Sequence, residues 1–304
     1  MLVEITARFD EAPNIAWGQL LEREGVHVSY GVEKLKTHVK LALVIREEAG
    51  KLRRYAHVGT GNYHSGTARI YEDLGLLTSD SALCGDVAKL FNQITGALPA
   101  RSYRKLLVAP HEMRGRFIDL IRCEAEHALA GRPARIRAKM NQLQDQELIR
   151  ELYKAGQAGV LISLNVRGLC CLRPGVPGLS ENIEVYSIVG RFLEHARIYE
   201  FAGGGLPQYF IGSADWMKRN LDRRVESVAP VEDPDLMREL CALLDVYDSD
   251  NHSRWDCDSE GVYTRRKPAP GQPRTSSQEV FLKMAASRQD PARTTKRSRR
   301  TSKA

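Results

Sequence analysis

The segment Thr37-His38-Val39-Lys40-Leu41-Ala42-Leu43-Val44-Ile45 alternates with a period of two. That predicts a strand with His38, Lys40, Ala42 and Val44 on one face and Val39, Leu41, Leu43 and Ile45 on the other. An imidazole and an ammonium at i and i+2 then project together. The first can attack phosphorus while neutral, and the second can neutralise phosphate oxygens. Alone the pattern is weak, because a strand histidine is more often a satisfied structural residue. The chain repeats it, however. Before His38, the apolar run Leu2-Val3-Glu4-Ile5-Thr6-Ala7 ends in Arg8, and after it comes the turn Gly59-Thr60-Gly61-Asn62. In the second half Val160-Leu161-Ile162-Ser163-Leu164-Asn165-Val166 ends in Arg167, followed by His195-Ala196-Arg197 and then Gly212-Ser213-Ala214-Asp215. A repeat of about 158 residues carrying arginine, His-x-basic and a glycine turn predicts two similar half-sites facing one phosphate-holding pocket.

Arg8 and Arg167 fall at corresponding strand ends, where α/β sheets meet ligands, and a guanidinium fork grips phosphate oxygens in pairs. The competing reading of both is a surface ion pair with Asp10 or Glu226. The two glycine turns, Asn62 included, would offer backbone amides and a hydroxyl to an anion.

Composition sets the outer limits. A chain of 304 residues, 42% hydrophobic, is expected to bury an ordinary core and to form two domains. No run approaches the length of a membrane span and the start lacks the order of a signal peptide, which predicts a cytoplasmic protein. The six cysteines, Cys84, Cys123, Cys170, Cys171, Cys241 and Cys257, form no C-x-x-C motif and read as buried free thiols. The net charge of +7 is concentrated at the end: residues 288–303 hold seven Lys/Arg against one Asp. The basicity therefore describes a tail, read as disordered, and not a specific nucleic-acid surface.

Strands and helices alternate along the rest. Helical spacing is expected over residues 12–24, 81–95, 111–130, 146–158 and 276–287, and strands over 26–30 and 54–58 beside those quoted. The stretch 96–102 with Pro99 is the candidate boundary. The resulting expectation is a first catalytic domain at 1–100, a second at 101–270, and a C-terminal extension with the tail at 271–304. Both domains are expected to be α/β with mixed sheets. The first residues after Met1 already read as a buried strand without a cap or turn before it, so the first domain is expected to be truncated at its start.

Thr37-His38-Val39-Lys40 and the Gly59 turn resemble the HxK signature of the phospholipase D superfamily. Longer strings are more specific: Ala7-Arg8-Phe9-Asp10-Glu11, Gly59-Thr60-Gly61-Asn62-Tyr63-His64, Thr67-Ala68-Arg69-Ile70-Tyr71, Val166-Arg167-Gly168-Leu169-Cys170-Cys171, Ser187-Ile188-Val189-Gly190-Arg191-Phe192-Leu193-Glu194-His195, and Ser213-Ala214-Asp215-Trp216-Met217 with Arg219-Asn220-Leu221-Asp222-Arg223-Arg224. These resemble the C-terminal half of the long bacterial polyphosphate kinases, from the start to about residue 287.

The resemblance implies two phospholipase D-like domains and reversible transfer of the terminal phosphate of ATP to inorganic polyphosphate through a phosphohistidine. It implies that His38 is the phosphorylated nucleophile and that His195 is the acid/base or second phosphate-binding histidine. Tyr71 matches an ATP-contacting tyrosine, and Arg167 and Arg224 match phosphate-binding arginines. Arg8 matches a position associated with Mg²⁺ and phosphate; a guanidinium has no lone pair for a metal, so Arg8 is assigned to phosphate oxygens beside the ion. Lys40 and Arg197 complete the positive lining. ATP or ADP and polyphosphate are the implied partners, with self-association or a complementary N-terminal chain, since the family's preceding domains have no counterpart here. Two other readings stay open: a phospholipase D-like phosphodiesterase or nuclease using the same histidines, and a noncatalytic polyanion-binding remnant.

Overall fold

A computed structural model describes residues 1–5, 11–32, 34–96 and 102–288. Arg8 and the basic tail beyond Arg288 lie outside the described residues, as does most of the stretch 96–102. The first half contains strands Leu2–Val3 (β1), Ser29–Tyr30 (β2), Lys36–Thr37 (β3), Leu41–Glu48 (β4), Lys51–Gly59 (β5), Tyr71–Glu72 (β6) and Gly75–Thr78 (β7). Its helices are Glu11–Arg23 (α1) and Ser81–Ile94 (α2). The second half contributes strands Leu107–Ala109 (β8), Arg135–Met140 (β9), Leu161–Val166 (β10), Ile183–Ile188 (β11), Leu193–Glu194 (β12), Ile198–Phe201 (β13), Gln208–Gly212 (β14), Arg224–Val231 (β15), Arg254–Cys257 (β16) and Tyr263–Arg265 (β17). Its helices are Met113–Leu129 (α3), Gln146–Gln157 (α4), Lys218–Arg223 (α5), Pro234–Asp248 (α6) and Ser277–Arg288 (α7).

Helix starts follow local chemistry. The Asp80, Asp145 and Asp233 carboxylates accept the otherwise unpaired amides of Leu83, Leu148 and Leu236 at the N-termini of α2, α4 and α6, and Pro234 occupies a first-turn position where its missing N–H costs nothing. The five helices expected from periodicity are all present, shifted by a residue or two at their ends.

The expected mixed α/β architecture is present. The main sheet runs β17-β16-β11-β10-β9-β13-β14-β15, with β9, β10 and β11 mutually parallel and the flanking strands antiparallel. At the far edge β15 pairs with both β8 and β3. The first half keeps a smaller antiparallel sheet, β4-β5-β7. One core is centred on Phe117, Tyr199 and Trp216, whose rings lie 4.8 to 5.3 Å apart. The other is shared between halves: Val58, Leu83 and Leu90 meet Ile211, Val225 and Leu240. All six cysteines are free as expected, but only Cys84 is buried; Cys123 and Cys171 are exposed on outward positions that periodicity did not separate from the inner ones. No helix among the described residues is long and apolar enough to cross a membrane.

One expectation needs correcting. His38 and Lys40 are not in a strand: β4 begins at Leu41, and residues 38–40 form an extended link from β3 into β4. Residues 195–197 likewise link β12 to β13. Alternation of side chains persists through an extended link, so the sequence pattern could not reveal that the chain changes sheets there.

Gly212 fixes how closely β14 approaches β15. A Cβ at this position would stand 2.2 Å from the Ser227 carbonyl oxygen and 2.6 Å from the Val228 Cα. Gly212→Ala should destabilise the protein by about 1–3 kcal/mol through overpacking against backbone. A urea unfolding midpoint equal to that of the parent chain would show that the strands can separate freely.

Candidate active site

Two short parallel ladders build the site, and each joins one half to the other. In the first, Lys36 and Thr37 of β3 pair with Arg224 and Val225 of β15. In the second, Leu193 and Glu194 of β12 pair with Tyr71 and Glu72 of β6. Parallel register carries the next residue on each strand into neighbourhood. His38 therefore meets Glu226, and His195 meets Asp73.

The His38 amide continues the first ladder, donating to the Val225 carbonyl at 2.9 Å. Its Nδ1 lies 2.9 Å from Glu226 Oε2, and the Ser213 hydroxyl donates to that same oxygen at 2.5 Å. Burial pushes Glu226 upward, but His38, Lys40 and Ser213 outweigh it and hold the carboxyl below its ordinary value. The carboxylate thus takes Nδ1–H and leaves Nε2 of His38 with a free lone pair. Burial depresses the imidazole to about 4, against the upward pull of Glu226 and with further downward pressure from Lys40 and Arg197. Lys40 is buried and is pushed down to about 7, chiefly by burial. Its ammonium donates to the His38 carbonyl at 2.5 Å.

The second histidine repeats the arrangement. The His195 amide donates to the Glu72 carbonyl at 3.2 Å, and Nδ1 lies 2.8 Å from Asp73 Oδ1, which also accepts from the Thr60 hydroxyl at 2.7 Å. Burial would raise Asp73, yet His195 and Thr60 hold it down, so the carboxylate again receives Nδ1–H. Burial lowers His195, opposed by Asp73 and assisted by Arg197 and Lys40. The Tyr71 ring lies against the imidazole at 4.9 Å. Arg197, buried, forks onto Asp215 at 3.0 and 3.3 Å, donates to the His195 carbonyl at 2.8 Å, and lies 3.2 Å from His195 Nε2.

The same two cations, Lys40 and Arg197, lie close enough to both imidazoles to push each of them down. Arg197 also presses on Arg167 and Arg224. Arg167 follows β10 and donates through Nε to the Asn141 side-chain oxygen at 2.8 Å. Arg224 opens β15, 3.8 Å from the second oxygen of Glu226. His38, Lys40, Tyr71, Arg167, His195, Arg197 and Arg224 are thus brought together. Asn62 stands exposed on the turn after β5, its carbonyl accepting from the His64 amide.

Two expectations are overturned here. The hydroxyls of the glycine turns are not free for a bound anion: Thr60 donates to Asp73 and Ser213 to Glu226, the carboxylates that orient the histidines. Glu226 is no surface partner for Arg167 either; it is buried beneath His38. Sequence reasoning missed Asp73 and Glu226 as site residues. A signal existed: they stand thirty-five residues after His38 and thirty-one after His195, so each half carries a carboxylate at nearly the same offset. What the offset hides is that each serves the other half's histidine.

The donor set does not form a cage for Mg²⁺. Among the described residues no three His, Cys, Asp or Glu side chains converge as metal ligands, and Glu226, Asp73 and Asp215 are committed to His38, His195 and Arg197. An apolar groove of about 460 Å³ lies elsewhere, along β4, β5 and β7, lined by Ala42, Val44, Tyr55, His57 and Leu77. It lacks the converging cations and belongs to different chemistry.

An unfolded imidazole titrates near 6.5 and folded His38 near 4. The neutral ring therefore contributes stability that is present above 6.5 and lost as pH falls through 4. The His38 Cε1 proton resonance should stay fixed between about pH 7.5 and about pH 5.5 in an NMR titration. A midpoint at the solvent value would contradict the buried arrangement.

The model of the polyphosphate kinase C-terminal domain 1 matches residues 1–99, and that of domain 2 matches residues 106–278. A polyphosphate kinase of Thermosynechococcus vestitus is 55% identical over 282 residues, 93% of this chain and 38% of its own length. One from Synechocystis is 53% identical over 94% of this chain and 39% of its own. The crystal structure of polyphosphate kinase from Porphyromonas gingivalis superposes with a TM-score of 0.87 at 37% identity, covering 94% of this chain and 44% of that one. The chain spans about two fifths of the length of the curated relatives it matches. With two family domains matched in order along nearly its whole described length, the chain belongs to the polyphosphate kinase family.

Proposed function

We propose that this chain is the phosphohistidine-forming region of a polyphosphate kinase. It transfers the terminal phosphate of ATP reversibly to inorganic polyphosphate. The observation that carries the reading is the partly buried, neutral His38, with Nδ1 held by Glu226 and with Lys40 and Arg197 close enough to act on the ring.

The Nε2 lone pair forms the N–P bond while the bond from the γ-phosphorus to the bridging oxygen breaks, and ADP leaves with that electron pair. Nδ1–H remains on Glu226, which stabilises the imidazolium-like ring as charge develops. A terminal oxygen of polyphosphate then attacks the phosphorus, and the N–P electrons return to Nε2. Phosphoryl transfer of this kind asks the protein mainly for alignment and charge neutralisation. Lys40, Arg167, Arg197 and Arg224 supply the neutralisation. His195, fixed by Asp73, binds the phosphate from the opposite side and exchanges protons with the acceptor oxygen. Tyr71 lies against the nucleotide, Asn62 borders its entry, and Arg8 contacts phosphate oxygens. Mg²⁺ carried by the nucleotide phosphates would neutralise part of their charge, beside the charge that Lys40, Arg167, Arg197 and Arg224 supply. A second copy of the chain, or a complementary N-terminal chain, is the further partner of this reading.

Incubation with γ-labelled ATP and Mg²⁺ should place acid-labile, base-stable label on His38, and His38→Ala should abolish it. Label persisting in that variant would sink the assignment, and release of phosphodiester products without nucleotide would favour a hydrolase. If the chain alone takes up no label, the measurement is repeated with a relative's N-terminal portion added. Glu226→Gln should slow labelling by roughly 10- to 100-fold, the usual effect of removing a group that orients an imidazole. An unchanged initial rate would leave Glu226 without a part in the reaction.

A further inference from the structure

The two ladders that place the histidines are not equally secured. The β3 pairing leans on β15, which is already part of the main sheet. The β6–β12 pairing is a separate two-stranded sheet of two rungs, and such a pair has little stability of its own. Its inner rung also sets Glu72 directly opposite Glu194, like charges that repel.

Lys139 of β9 lies beneath this rung, 1% exposed. Its ammonium reaches Glu72 at 2.9 Å, Glu194 at 3.1 Å and the Ala196 carbonyl at 3.3 Å, which uses all three of its donors. Burial pushes Lys139 down, but Glu72 and Glu194 prevail and keep it charged. Burial and Glu194 raise Glu72 against the pull of Lys139. Glu194 is further held by the Tyr247 hydroxyl at 2.9 Å and the Gln278 amide at 2.7 Å. None of these groups points at the histidines. Side chains alternate along both short strands, so Glu72 and Glu194 turn inward while their neighbours Tyr71, Asp73 and His195 turn toward the pocket.

We propose that Lys139 is a positioning residue: from beneath the seam it clamps Glu72 of one half to Glu194 of the other, and thereby holds Tyr71 and Asp73 against His195. The role in turnover rests on the phosphotransfer reading above; the clamp itself does not. Removing the ammonium leaves two facing carboxylates, Glu194 buried and Glu72 partly so, without a cation between them. The seam then opens, and His195 loses its Nδ1 partner.

Lys139→Met should lower the turnover number for transfer from ATP to polyphosphate at least tenfold at saturating ATP. It should also erase the Nδ1–H tautomer signature of His195 in a ¹⁵N–¹H histidine spectrum. The double variant K139M/E72L keeps the cluster's net charge at minus one without the clamp, and it reports if the single variant does not fold. It should show the same two losses while its thermal midpoint stays near that of the parent. Either folded variant with the His195 signature intact, or with turnover within twofold of the parent, overturns the proposal. Failure of both to fold would make Lys139 a folding requirement and also overturn it. A parent chain that transfers no phosphate sinks the functional reading separately, while the His195 spectrum still decides the clamp.

Discussion

Everything in the pocket depends on carboxylates exchanged between halves. Glu226 of the second half orients His38 of the first, and Asp73 of the first orients His195 of the second. Each pairing follows from a two-rung parallel ladder one residue upstream. In a buried setting of low effective dielectric, an unpaired carboxylate would be too costly to keep ionised, and an unpaired imidazole would have no fixed tautomer. The pairing resolves both at once. It also leaves Nε2 of His195 beside Arg197, at 3.2 Å, and His38 within the influence of Lys40 and Arg197.

The fold was legible where periodicity is long. Helices α2, α3 and α4 and the main-sheet strand β10 follow directly from apolar spacing. The pseudo-repeat gave the correct pairing of halves. Less was visible at short elements. The strand expected over residues 26–30 reduces to Ser29–Tyr30, and the one expected at 37–45 begins at Leu41. In both cases an extended chain and a paired strand share the same alternation, and hydrogen-bond partners supplied by distant sequence decide between them.

The candidate site divides the same way. His38, Lys40, His195, Arg197, Tyr71, Arg167 and Arg224 were named from residue type, spacing and resemblance, and they meet around one pocket. Asp73 was not named and Glu226 was named only as a surface ion-pair partner, because their matching offsets from the histidines do not show that each serves the opposite half. The role of Lys139 was hidden further still. In sequence it is one of six residues of an ordinary strand, Arg135–Met140, and only the pairing of β6 with β12 above it gives it two partners.

The link carrying His38 is only three residues long and is anchored at both ends, through the His38 amide to Val225 and through the Lys40 carbonyl to the Gly59 amide at 2.8 Å. A span so short and doubly tethered cannot swing as a loop. The imidazole is left with rotation about its two side-chain torsions, and Glu226 restrains those. In the reaction proposed above, the travelling partners are therefore the phosphates: donor and acceptor slide up to a stationary nitrogen, in the manner of a fixed anvil.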